Sequence, residues 1–456
     1  MKDRHGLLTA PIGRVLLNMS LPNLIGIMTI LGFSLADTFF ISQLGTEPLA
    51  AISFTFPVTL IISSIAIGIG AGVSTNLGRL IGSGNAPKAK VFLHDALLLT
   101  FILTASLSAL GSIFITPLFS LLGANESSLP LIRDYMIYWY LAAPLLVVLM
   151  VGNQGLRSTG DTRSPAMIMS LAAIINLILD PLLIFGIGPF PRLEIQGAAI
   201  ATLIAWVVAL SLSSYLLIIK RKMLEWAAFD IDRMRANWSK LAHIAQPAAL
   251  MNLINPLANA VIMAMLAHID HSAVAAFGAG TRLESVLLIV VMALSSSLMP
   301  FIAQNLGAGQ PQRAKEALLL SLKFIFIFQT LLYIPLVFLA EPIAHLFSTD
   351  PQVLEWLSFY ILVLPCAYGP LGIVIIFATA LNAYHRPINS LVINLCRLVL
   401  LMLPLAALGS YIGGVKGLLL ALPVTNILMG IACYWLAQQI CEPVKVTTVN
   451  ANSATH

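Results

Sequence analysis

Long apolar runs, broken by short stretches rich in charge, glycine and proline, cover this chain almost from end to end. A bilayer core about 30 Å thick needs ~20 apolar residues per helix, and the runs meet that length repeatedly. The breaks predict twelve helices, at 15–41, 52–80, 92–121, 131–156, 165–186, 196–219, 240–268, 274–304, 316–346, 351–381, 388–410 and 416–439. An all-α polytopic membrane protein is the fold class this pattern predicts.

The connections alternate in charge. One set holds Lys2, Arg4, Arg14, Arg79, Lys88, Lys90, Arg157, Arg163, the 220–240 cluster, Arg313, Lys315, Arg386 and Lys445. The other set holds only Arg133, Arg192 and Lys416, so both termini are expected on the cytoplasmic side.

A longer polar connection (RKMLEWAAFDIDRMRANWSK, 221–240) divides the chain near its middle. Shifting one half by 225 positions lays Pro22 on Pro247, "EPLAAISF" (47–54) on "SAVAAFGA" (272–279), and "GSGNAPKAK" (82–90) on "GAGQPQRAK" (307–315). Six spans per half give both halves one orientation, a parallel repeat. The expected organisation is a six-helix bundle over 1–220, a cytoplasmic linker over 221–239, a second bundle over 240–441 and a disordered tail over 442–456. Two facing bundles with a cavity between them suit a rocking transporter.

Composition narrows the function. Charged residues make up 9% of the 456 and mean hydropathy is +0.94, whereas soluble proteins carry roughly 25% charge. The basic balance (net +5) is scattered over loops, which argues for topology and against a nucleic-acid partner. The four cysteines form no CxxC, and neither HExxH nor GxSxG occurs, so no zinc site, no metal centre and no catalytic residue is indicated. "IGIGAG" (67–72) follows no strand and reads as close helix packing.

One acid stands out. Asp37, in "LADTFF", interrupts an apolar run, where an ionised carboxylate costs on the order of 3 kcal/mol. Its counterpart in the second half is Ile262, which confines the feature to the first bundle. Helix 5 carries Asn176 and Asp180 at i, i+4 on one face, and helix 6 places Thr202 at similar depth. Two carboxylates, an amide and a hydroxyl form a proton site or an all-oxygen cage for Na⁺.

Each residue has a plainer reading. Asp37 is near enough to a helix end to reach outward to water, and Asp180 before Pro181 reads as a cap opening a new helical segment. Asn176 and Thr202 serve equally as helix-interface bonds. Pro22 makes helix 1 bendable, although Pro247 repeats it where no acid exists. Among other charges in spans, Arg397 and Glu284 are a candidate buried pair, with Arg282 nearby in sequence.

The phrases "LADTFFISQLGTEPLAAISF", "NLGRLIGSGNAPKA", "NLILDPLLIFG", "EIQGAAIAT" and "QNLGAGQPQRAKEA" together resemble the MATE (multidrug and toxic compound extrusion) transporters, most of all the bacterial DinF-type branch. The resemblance spans both halves. It implies a monomeric antiporter of the bacterial inner membrane that exports hydrophobic, often cationic drugs and confers antibiotic resistance. Protons are its expected coupling ion and Na⁺ the alternative, with no organic cofactor. It maps proton or cation coupling onto Asp37, supported by Asn176, Asp180 and Thr202, and a conformational hinge onto Pro22. The other main branch carries an acid on helix 7, where this chain has only Asn252, Asn255 and Asn259. A lipid-linked precursor flippase of the same superfamily is the less favoured alternative.

Overall fold

The computed structural model describes residues 6–225 and 230–440. Lys2, Arg4, Lys445 and the expected tail lie outside the described residues, as do linker residues 226–229.

Every regular element among the described residues is helical. The first six are α1 (Ile12–Ser42), α2 (Thr46–Gly82), α3 (Ala86–Ile113), α4 (Ser128–Arg157), α5 (Arg163–Phe185) and α6 (Glu194–Tyr215). The second six are α7 (Ile231–Ala267), α8 (His271–Leu287 and Ile289–Gly307), α9 (Pro311–His345), α10 (Pro351–Ala383), α11 (387–412) and α12 (415–439). Among the described residues, eleven stretches are long and apolar enough to cross a membrane. The last of them, Pro387–Gln439, is interrupted by non-helical backbone at Gly413 and Gly414, where α11 ends and α12 begins. Gly414 has φ of 57°, a conformation open to glycine at no cost, so the chain reverses there without a polar loop.

Several expected continuous spans are broken. Residues 92–121 divide at Phe114 into α3 and a short helix, Ile115–Leu121. α8 is interrupted at Leu288, α10 tightens into a 3-10 turn at Pro365–Ala367, and α11 carries a wide π turn over Cys396–Met402. One expected break is missing, since α5 runs unbroken through Pro181, while α1 is continuous through Pro22 as its expected span requires. Asp180 therefore opens no new segment, and neither of its carboxylate oxygens has a hydrogen-bond partner.

Apolar side chains collect in two large cores, one from the first six helices and one from the second six. The two lobes meet mainly through α2 against α7 and the second half of α8, and through α1 against α8. The contacts are tightest at the basic face, the end at which α1 begins. Gly82 faces the backbone of Gln304 and Gly307 faces the backbone of Arg79, so closely that a methyl group at either would overlap main-chain atoms. Small residues let two helix backbones approach this far.

Polar bonds complete the seam. Asn23 donates to Ser296 and Ser297 at 3.1 and 2.9 Å, Arg79 to the Ala383 carbonyl at 3.0 Å, and Gln304 to the Ser158 carbonyl. Arg313 stacks over Phe301 at 5.4 Å and donates to the carbonyls of Leu7 and Ala10, while Asn305 also donates to Leu7. The buried Leu7 side chain joins the second lobe's core, so the start of the chain is strapped across the seam.

The linker is pinned at the same face. Asp95 accepts from Arg233 and Asn237, and Asp161 accepts from Ser164 and Arg221. Burial works to raise the Asp161 carboxyl, but the Ser164 bonds and the Arg221 guanidinium outweigh it and hold it below its ordinary value.

Candidate functional site

α1 packs along α5, and α5 along α6, which brings the four expected polar residues into one region of the first lobe. Asp180, Asn176 and Thr202 are all buried. Asn176 donates its amide to the Thr202 hydroxyl at 3.1 Å and lies close enough to Asp180 to act on its carboxyl, while its own oxygen is unpartnered. Asp37 and Asp180 lie within electrostatic reach of each other and of Tyr135. The Asp37 Oδ1 is buried and unpartnered as well, on a residue that is half-buried as a whole.

Four buried oxygens without a donor are costly, because each forfeits its hydration. A proton shared by the carboxylates, or a cation among the oxygens, removes that cost. The arrangement is chemically able to take up and release a positive charge.

A separate cavity of about 770 Å³ lies between the lobes. Of the four residues, only Asn176 reaches its wall. The two walls differ in chemistry. The first lobe presents mostly apolar groups, among them Ile27, Phe33, Met150, Met169 and Trp206. The second presents amides and hydroxyls, including Asn252, Asn255, Asn259, Asn394 and Asn426.

Charge enters this cavity at three residues. Arg397 on α11 donates to Asn255 at 2.9 Å and to Asn426 at 3.2 Å. Glu284 on α8 accepts from the hydroxyls of Tyr360 and Tyr368, both at 3.1 Å on the same oxygen. The expected Arg397–Glu284 ion pair does not form, because each side chain is held by neutral partners first. Arg157, expected to mark topology only, lines the cavity from the first lobe and donates to Gln154 at 2.9 Å. Arg282 does not line the cavity. "NQGLR" (153–157), polar residues one helical turn apart at the end of an apolar run, was the signal that could have found Arg157.

Comparison with known proteins places this geometry. The MatE family pattern matches the chain twice, at residues 22–182 and 247–408. The chain is 92% identical over 450 residues to a Shewanella oneidensis protein named FAD transporter, covering 99% of this chain and all of that one. It is 25% identical over 446 residues to the Staphylococcus aureus multidrug export protein MepA, covering 96% of each. Among solved structures, the Vibrio cholerae MATE transporter VcmN in its bent form superposes with a TM-score of 0.89 at 32% identity, covering 94% of this chain and 96% of that one. Two matched halves, twelve helices around an inter-lobe cavity and these relatives agree, and the chain is a membrane transporter of the MATE family, not an enzyme.

Proposed function

We propose that the protein exports FAD across the bacterial cytoplasmic membrane in exchange for protons taken up at the Asp37–Asp180 cluster. The observation that carries the substrate is the 92% identity with the S. oneidensis FAD transporter over nearly the whole chain. The cavity supports it. FAD joins flat aromatic rings to a polar chain and a pyrophosphate, which suits a site with one apolar wall, one amide-rich wall and two arginines, Arg157 and Arg397.

Export as the direction is supported by the multidrug export protein among the relatives. With both termini cytoplasmic, as the charge asymmetry argues, the sealed basic face is read as the cytoplasmic one and this conformation as the outward-facing state of the proposed cycle. Uptake of protons at the orphan carboxylate oxygens of Asp37 and Asp180 drives the return, with Asn176 beside them oriented by Thr202 and Pro22 serving as the flexible point of α1. Na⁺ is the alternative ion for the same oxygens. A monomer suffices for this cycle.

A multidrug antiporter is the second reading. Methionines on the cavity wall (Met150, Met169, Met251, Met292, Met299, Met402) favour it, since flexible thioethers adapt to many apolar shapes. Proteoliposomes with an imposed proton gradient and no Na⁺ separate the readings. FAD is expected to move and ethidium to move little. Dye movement without FAD movement gives the multidrug reading, and movement of FAD only after Na⁺ addition changes the ion.

A further inference from the structure

We propose that the second-lobe wall of the cavity holds a phosphate-recognition subsite centred on Arg397, which selects phosphate-bearing substrates over their uncharged counterparts. The inference rests on the FAD reading above and deepens it by naming the residue that makes the choice.

Arg397 is a buried cation with no carboxylate bonded to it, while Glu284 in the same cavity lies within its electrostatic reach. Arg397 is 7% exposed, and among the described residues no carboxylate lies within ion-pair distance of it. Its two bonds run to the neutral amide oxygens of Asn255 and Asn426, and its Nε–H has no partner. A guanidinium has five N–H donors, so most remain for a ligand. Isolating a charge from water costs several kcal/mol unless something compensates it. Glu284 and two amide oxygens compensate the charge in part, and in a cavity wall an anionic substrate group completes the compensation. A phosphate oxygen pair matches the guanidinium fork in shape and charge.

The backbone gives an independent observation. Arg397 lies in the π turn Cys396–Met402, where an extra residue is fitted into a membrane helix. Such turns are uncommon and cluster at functional sites. Asn255 and Asn426 come from α7 and α12, so three helices of the lobe fix the guanidinium in place.

The other charge on this wall is consistent with reversible binding. Glu284 is fixed by Tyr360 and Tyr368 rather than by Arg397, so it leaves the guanidinium free. Its negative charge in the same cavity weakens the hold on an anion, and an exporter must let its substrate go.

The test measures binding of FAD, riboflavin and ADP to the purified full-length protein in detergent, for wild type, Arg397→Gln and Arg397→Lys. Wild type is expected to prefer FAD over riboflavin by about 30-fold or more. Arg397→Gln is expected to collapse that ratio to within a few-fold while leaving riboflavin affinity unchanged. Arg397→Lys keeps the charge but not the planar fork, and is expected to lose about tenfold for FAD alone. Should the Gln variant fail to fold, the Lys variant decides by itself. An unchanged ratio, or equal loss for both flavins, overturns the subsite. Wild type that binds neither flavin defeats the FAD reading instead, and ADP then decides. ADP binding lost in the variants keeps the subsite, and no ADP binding overturns it.

Discussion

The two lobes share one helical plan, yet they treat buried charge in opposite ways. In the first, Asp37 and Asp180 sit behind the cavity with oxygens that no donor satisfies. In the second, Glu284 and Arg397 sit on the cavity wall, each held by two neutral side chains. Unsatisfied acids remote from the substrate suit a group that changes its charge during a cycle. Fixed charges that face the substrate suit recognition. The contrast supports the proposed division, with coupling in the first lobe and phosphate recognition in the second, Arg157 being the first lobe's one charge on the cavity wall.

The largest expected effect breaks the first half of that contrast. Asp37→Asn should lower proton-driven FAD export about a hundredfold, the upper end of coupling between sites, while FAD binding stays near wild type. Parallel proteoliposome flux and detergent binding measurements check this, and equal loss of both would merge the two roles. Next in size is the reverse graft. Ile262, the counterpart of Asp37, is fully buried in the second lobe's core. Ile262→Asp should cost about 3 kcal/mol of stability and confer no proton coupling on an Asp37→Asn background, as thermal unfolding and flux will show. Rescue there would mean that any buried acid suffices.

The smallest effect belongs to an acid that has partners. Asp161 is held below its ordinary value, so its contribution to stability is present above the unfolded carboxyl range near pH 4 and is lost as pH falls through the lower folded value. At pH 7, Asp161→Asn should lower the melting temperature by about 2 °C, and the difference from wild type should vanish in strong acid. Export at pH 7 should change little.

Much of the architecture was legible because the bilayer simplifies the physics. Backbone groups have no water to bond, so apolar length alone announces a helix, and charge can collect only at the ends. Asp37, Asn176, Asp180 and Thr202 were legible for the same reason, since polar atoms in hydrocarbon are expensive. What failed depended on partners supplied by other helices. Arg397 and Glu284 were matched by charge, but the amides of Asn255 and Asn426 and the hydroxyls of Tyr360 and Tyr368 reach them first. Arg157 was read as a loop charge because its position at a helix end is what topology also requires. Pro181 was read as a break, yet α5 continues through it. The interruption at Leu288 left no proline or glycine to announce it, and the π turn over Cys396–Met402 was signalled only by Pro404 just beyond it.

The strap at the start of the chain bears on how this protein can be instrumented. Leu7 and Ala10 are gripped by Arg313 and Asn305 across the seam, so whatever is fused close ahead of Gly6 is fused to the gate. A bulky tag there loads the sealed state and biases any flux assay made with it. In the proposed cycle a small fluorophore at the same place becomes a gauge, its signal expected to shift when the two lobes part at the basic face.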